Sequence, residues 1–348
     1  MKGSDPLVWA LLGSRDGDNN QVLALVEELG FPFETKQLRY RRVAGQDLGK
    51  LRPRHLGRSL ISLDKQSQEM IRPPWPDLVI GIGRRSVPAA RYIRKMSGNQ
   101  AKLVRIGNPR CDPLLFDLVI TTPQYLVPPA PNVLQLPVAM SRFRGPAKLD
   151  ESDRAWLGGH PRPHLLLALG GNTKDVKLDQ AEIEMAAARL AARGADRGGT
   201  LLIVGSRRTD QNFLTEAARY GALVNSNGPS FAALLDDADE IFVTADSVSM
   251  LSEAIATGKP IGMIPVAMTH AGLRGVGEAS KGLFDFRSPR RDPRRFWARL
   301  LEAGAVGTVD APRASTTENP VKVAAEAVRQ LLGYARHDVA TSVTINEL

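Results

Sequence analysis

Short apolar runs that stop at small or polar residues recur along the chain and constrain its fold more than any other feature. They are LVWALLGS (7–14), LVIGIG (78–83), LVIT (118–121), LLLALGG (165–171), LLIVGS (201–206), IFVTADS (241–247) and IGMIP (261–265). Runs of this length without alternation fit strands buried on both faces, as in parallel sheets. Most are separated by segments of helical periodicity, such as Val22, Leu25, Val26 and Leu29 before Gly30, or AEIEMAAARLAARG (181–194). Strand, helix and strand in that order predict βαβ units and a doubly wound α/β architecture.

A Pro-rich interval, residues 121–164, separates the two sets of strands and reads as a weakly structured seam. The expected domains are 1–145, Rossmann-like and basic, and 160–315, Rossmann-like and ligand-binding, followed by a helix and tail over 316–348. In the tail, Val321, Ala324, Ala325, Val328 and Leu331 or Leu332 form one apolar stripe over 319–336, predicting a helix that packs back on the first domain. A further helix is predicted over RRFWARLLEAG, and HDVATSVTINEL at the end supports no assignment. Two such domains are expected to face each other across a cleft at the carboxyl ends of their strands, where open α/β sheets bind ligands.

Charge divides the chain unevenly. Residues 1–150 hold 23 Lys and Arg against 13 Asp and Glu, and the rest hold 23 against 24. A basic first half suits an anionic substrate or an anionic membrane surface, although stretches such as RYRR (39–42) and RPRHLGR (52–58) also read as solvated faces. Nucleic acid is not an expected partner, because aromatic residues are only 5% of the chain and no stacking motif appears. The N-terminal apolar run is too short to span a bilayer and no signal peptide is visible, so a cytoplasmic protein is expected. Cys111 is the single cysteine, which rules out an internal disulfide. His160 and His164 are four apart, but Pro161 and Pro163 argue for a surface loop and no metal site is expected.

Three strand ends in the second half carry chemistry. In VTADSVSMLSEA (243–254) a helix is expected to begin near Ser247, capped by Asp246 or Ser247. Val248, Leu251 and Ile255 then make a core stripe, with Asp246, Ser249 and Glu253 on the opposite face. Such a face is often merely solvated; at a strand's carboxyl end it becomes a phosphate site, with Ser247 and Ser249 as hydroxyl donors. Glu253 has the spacing to accept from the vicinal hydroxyls of a ribose, and Asp246 stays open between cap and ligand contact. LLLALGGNTKD supplies Gly170 and Gly171 for close backbone approach, with Asn172, Thr173 and Lys174 as donors. GSRRTDQNF supplies Ser206, Arg207 and Arg208, and arginine suits bidentate phosphate contact.

In the first half, LLGSRDGDNNQ places Asp16 and Asp18 where a phosphate loop would lack acids. They read either as a cap for a helix beginning near Asn20 or as a general base. IGRRSVPAARYIRK (82–95), with Arg84 and Arg85, gives a basic turn for an anionic acceptor or a membrane surface.

The block LLDDADEIFVTADSVSMLSEAIATGKPIGMIP (234–265), with GDNNQVLALVEELG (17–30) and LALGGNTKD, resembles the family named for the plant mitochondrial-fission, elongated-mitochondria protein, which has many bacterial members. That family is similar in its second half to two-Rossmann (GT-B) glycosyltransferases, including the lipid-linked peptidoglycan and Kdo transferases. The resemblance implies a sugar donor whose nucleotide is held by a small-residue loop and a Glu at the position of Glu253. It also likens GSRRT to an Arg-bearing phosphate turn of the Kdo enzymes. The first loop lacks the His of the peptidoglycan enzymes, and the Glu base of the Kdo enzymes has no assured counterpart. The resulting expectation is a metal-independent glycosyltransferase without a resident cofactor, peripheral on the inner membrane, passing sugar to an envelope glycolipid or polysaccharide. A nucleotide-sugar epimerase and a non-catalytic membrane scaffold are the alternatives.

Overall fold

The computed structural model describes residues 5–50, 57–142, 149–273 and 291–334. Among these, one compact unit comprises 5–136 with 318–334, and the other comprises 137–317. The division falls after Leu136 and after Thr317, where the sequence suggests 145–160 and 315.

The first unit is built on β1 (Val8–Leu12), α1 (Asp16–Leu29), β2 (Phe33–Gln37), β3 (Leu78–Ile82), α2 (Val87–Met96), β4 (Lys102–Ile106), β5 (Leu118–Thr121) and β6 (Val133–Gln135). The strands form one sheet in the order β2-β1-β3-β4-β5-β6, parallel throughout. β6 lies in the interval that reads as a seam. Its three residues follow a Pro-rich stretch, which hides it, but Val119 N–H reaches back to Asn132 O and Leu136 N–H to Thr121 O. Trp9, Leu11, Val79, Leu103 and Val119 form a buried layer with Val87, Ala90 and Ile93 of α2.

In the second unit the order is α3 (Glu151–Gly158), β7 (His164–Leu169), α4 (Gln180–Ala195), β8 (Thr200–Gly205), α5 (Gln211–Ala217), β9 (Ala222–Leu223), α6 (Phe231–Asp237), β10 (Glu240–Thr244), α7 (Val248–Ala256), β11 (Pro260–Ile264), α8 (Pro293–Glu302) and β12 (Arg313–Ala314). The sheet runs β9-β8-β7-β10-β11-β12, parallel except for the last strand. Every residue of β7 and of β10 is buried. Acceptor side chains cap the helices where the sequence offers them: Asp150, Asp179, Asp210, Ser230 and Asp292 each accept a first-turn N–H.

The last described element, α9 (Pro320–Leu332), belongs to the first unit and packs on α1 and β5. Its buried residues Val321, Ala324, Ala325, Val328 and Leu332 are the predicted stripe, and Gly333 ends it in the left-handed conformation. Arg329 Nη2 donates to Glu28 O at 2.6 Å, and the Tyr334 ring packs against Phe31, tilted, with centroids 5.1 Å apart. Both units are therefore Rossmann-like α/β layers. Among the described residues no helix is long and apolar enough to cross a membrane.

Two local expectations are corrected. His164 is not on a surface loop: it is 1% exposed at the start of β7, where Asp237 meets its Nδ1 at 2.5 Å and His160 O meets its Nε2 at 2.9 Å. α1 begins at Asp16 rather than near Asn20, and its cap position is Arg15, with no side-chain cap bond. Asp16 and Asp18 thus lie within the first turn, where the helix dipole favours acids. The residues of RPRHLGR before Gly57, and the HDVATSVTINEL tail, lie outside the described residues.

Candidate functional site

Strand order reverses in the second unit between β7 and β10, since β8 lies on one side of β7 and β11 lies beyond β10. Loops at the carboxyl ends of the strands flanking such a point form the usual ligand crevice of a doubly wound sheet. Here those loops begin at Gly170 and Ala245, and the loop after β8 begins at Ser206.

Asp246 joins all three loops. Its Oδ2 accepts from Gly171 N–H at 2.9 Å and from Arg208 Nη2 at 3.3 Å, and its Oδ1 accepts from the Thr244 hydroxyl at 2.7 Å. Thr244 Oγ1 in turn accepts from Gly170 N–H at 2.7 Å. Asp246 is 7% exposed, and burial pushes its carboxyl above the usual range against the pull of Gly171 N–H, Thr244 and Arg208. The side chain left open between cap and ligand contact is therefore an internal clamp. The cap of α7 is Ser247, whose Oγ accepts from Met250 N–H at 3.5 Å.

This clamp changes the roles of the two glycines. A Cβ on Gly170 would lie 2.1 Å from Asp246 Oδ1, and one on Gly171 would lie 2.2 Å from Arg208 O. The close approach they permit is to their own chain, and both amide hydrogens are committed inside it. Asn172 and Thr173 also serve their loop: Asn172 Oδ1 accepts from Leu178 N–H, and Thr173 Oγ1 accepts from Asp175 and Val176 N–H. Ser206 shapes the next turn, accepting from Arg208 N–H at 3.2 Å while its own N–H meets Thr209 Oγ1 at 2.7 Å.

What faces outward is a smaller set. Arg207 and Ser249 are exposed. The Arg208 side chain is 47% exposed while anchored to Asp246 and, through Nη1, to Gly171 O at 3.2 Å. An arginine held on one edge and open on the other is preorganised for a phosphate. Glu253, four residues beyond Ser249 on α7, is half-buried, with no hydrogen bond or ion pair among the described residues, and burial alone raises its carboxyl. α7 is held from behind by buried Met250, Leu251, Ala254 and Ile255, and by Ser252 Oγ donating to Val248 O.

Sequence reasoning did not single out three organising residues. Thr244 and Thr209 stand inside the quoted motifs but read as ordinary strand-end residues. Thr209 Oγ1 donates to Leu169 O at 2.8 Å and ties the β8 loop to the end of β7. Trp297 of α8 donates through Nε1 to Ala245 O at 2.7 Å, fixing the turn before Asp246, and nothing in its own segment signals that contact. In the first unit the reversal point lies between β1 and β3, so the first turn of α1, with Asp16 and Asp18, and the loop with Arg84 and Arg85 flank it.

Among solved structures, S. aureus MnaA in complex with UDP is similar over 95% of this chain and 98% of that one, at 12% identity and TM-score 0.49. UDP-GlcNAc 2-epimerase from Neisseria meningitidis bound to UDP-GlcNAc is similar over 94% and 99%, at 11% identity and TM-score 0.48. Arabidopsis thaliana UGT89C1 complexed with UDP-L-rhamnose is similar over 94% of each chain, at 13% identity and TM-score 0.45. In sequence, the uncharacterized protein RP120 of Rickettsia prowazekii (strain Madrid E) is 23% identical over 297 residues, 73% of this chain and 82% of that protein. The model of the Mitochondrial fission ELM1 family matches residues 16–333, which include the whole second sheet and every strand of the first except β1, and the chain belongs to that family.

Proposed function

We propose that this chain is a GT-B-type glycosyltransferase that takes sugar from a nucleotide-sugar donor held by the second unit. The observation that carries the reading is Glu253: a half-buried carboxylate without a partner among the described residues, on the helix that starts at the strand-order reversal. Burying a carboxylate unpaired is costly, and a diol supplying two O–H donors would offset that cost. The N-terminus of α7, Ser249, the exposed Arg207 and the open edge of Arg208 would take the diphosphate, and their positive potential would stabilise it as a leaving group without a metal.

The basic first unit would take the acceptor, an envelope glycolipid or polysaccharide, with Arg84 and Arg85 on its anionic part and Asp16 or Asp18 as the base on the attacking hydroxyl. Peripheral docking on the inner membrane surface fits the charge of residues 1–150. Calorimetric titration with UDP-, GDP-, ADP- and CMP-sugars tests the donor site. Binding of one of them, lost in Glu253→Ala, is the expected result; binding of none overturns the reading. Turnover of the bound donor without any acceptor would replace transfer by epimerisation.

A further inference from the structure

In the first unit a buried arginine has no counter-charge among the described residues. Arg105, on β4, stands opposite Gly81 of β3, and its guanidinium occupies the space that a side chain there would fill: a Cβ on Gly81 would lie 2.8 Å from Arg105 Nη1. Arg105 is 1% exposed. Its Nη2 donates to Gly83 O and, at 2.6 Å, to Ser86 Oγ, while its Nε meets no acceptor and no carboxylate pairs with it among the described residues. Burial pulls its pKa down to about 10, which leaves it cationic at neutral pH.

Further positive potential converges on the same place. α2, ten residues long, begins there, and Ser86 at its cap position makes no side-chain cap bond; its hydroxyl donates to Ile82 O instead. Arg85 lies over the Tyr40 ring at 4.1 Å, pairs with Asp47 at 2.5 Å, and also has a buried Nε without an acceptor among the described residues. Arg84 stands beside it, half-buried. Asp47 is the carboxylate the structure sets against this group, and the loop lies at the strand-order reversal of its sheet.

We propose that the Gly83–Ser86 turn, with Arg105 beneath it and Arg85 beside it, is a binding site for a phosphate group carried by the ligand of the first unit. Among the described residues, two guanidinium Nε groups without acceptors, a helix N-terminus and a buried cation face the carboxylate of Asp47, and a bound anion would offset the positive charge that is left. The inference deepens the acceptor side of the function proposed above, but its test involves no sugar transfer, so either can fail alone.

Pyrophosphate is titrated into the full chain by calorimetry and thermal unfolding at constant ionic strength. Arg105→Met, Arg85→Met and, to separate uptake by the second unit, Arg208→Ala are measured in parallel. Pyrophosphate is expected to raise the Tm of the wild type, and Arg105→Met is expected to weaken binding at least about tenfold while unfolding no earlier than wild type without ligand. Arg85→Met is expected to weaken binding too, and it carries the test if Arg105→Met does not fold. A second arm uses vesicles containing phosphatidic acid: Arg105-dependent binding displaced by pyrophosphate identifies a lipid headgroup as the source, and its absence identifies a soluble phosphate ligand. Pyrophosphate affinity unchanged in both arginine variants, or no binding at millimolar concentration, overturns the proposal.

Discussion

Arg208 and Asp246 lie on loops that follow two different strands, yet Arg208 Nη2 and Asp246 Oδ2 are 3.3 Å apart, with Gly171 N–H sharing the same carboxylate oxygen. The three loops of the candidate site are thus held as one piece before any ligand arrives. Asp246→Ala would leave the Gly171 N–H without its acceptor and the Thr244 hydroxyl without its own. The expected cost is about 3 kcal/mol by urea denaturation, and Asp246→Asn, which keeps one acceptor oxygen, is expected to lose about half of that.

Gly170→Ala and Gly171→Ala test the same clamp sterically. Their Cβ atoms would lie 2.1 Å from Asp246 Oδ1 and 2.2 Å from Arg208 O, so each is expected to lose more than about 2 kcal/mol in denaturant titration. Gly13→Ala, at a strand end of the first unit with nothing within 4 Å of the added carbon, is expected to stay within about 0.5 kcal/mol of wild type.

Glu253 links function to pH. Burial raises its carboxyl, so the folded chain holds that proton more tightly than the unfolded chain does. Its effect on stability is therefore most favourable at low pH and declines as pH rises through the raised pKa. Glu253→Gln removes this dependence. Its Tm is expected to match wild type near pH 4 and to exceed it by about 1–3 °C at pH 7.5, while donor binding is lost. A Tm difference independent of pH would exclude the carboxylate's burial as the cause.

Trp297→Phe keeps the ring volume in large part and deletes the Nε1 donor to Ala245 O. A loss of about 1 kcal/mol is expected, and the missing fluorescence is itself a probe, because ligand binding at the β10 loop should change emission in wild type and much less in the variant.

Val328→Asp places a charge on the fully buried face of α9 against α1. The first unit is expected to lose more than about 3 kcal/mol. Unfolding followed by circular dichroism is then expected to split into two transitions, with the second unit melting at its wild-type temperature.

Much of this fold could be read from the chain because uninterrupted apolar runs end where strands end. In the first unit, the strands that escaped reading break that rule for physical reasons. β2 (Phe33–Gln37) is a polar edge strand, β4 carries Lys102 and the buried Arg105, and β6 has three residues beside a Pro-rich stretch. At the candidate site, topology sufficed to bring Gly170, Gly171, Ser206, Arg208 and Asp246 together. It did not show which donors face inward, since that depends on Thr244, Thr209 and Trp297 meeting partners far along the chain. His164 misled for a similar reason: two neighbouring prolines suggest a surface loop, while its burial is set by Asp237, 73 residues away.

The contact between Arg329 and Glu28 spans 301 residues. During synthesis the second unit emerges whole, while the opening unit waits for its closing helix. At about 5–20 residues per second, roughly 15–60 s separate the appearance of α1 from that of α9. Throughout that interval Val22, Leu25, Val26 and Leu29 lack the helix that packs against theirs. The first unit is therefore begun before the second and completed after it, and a premature stop ahead of α9 would strand that unit rather than trim a tail.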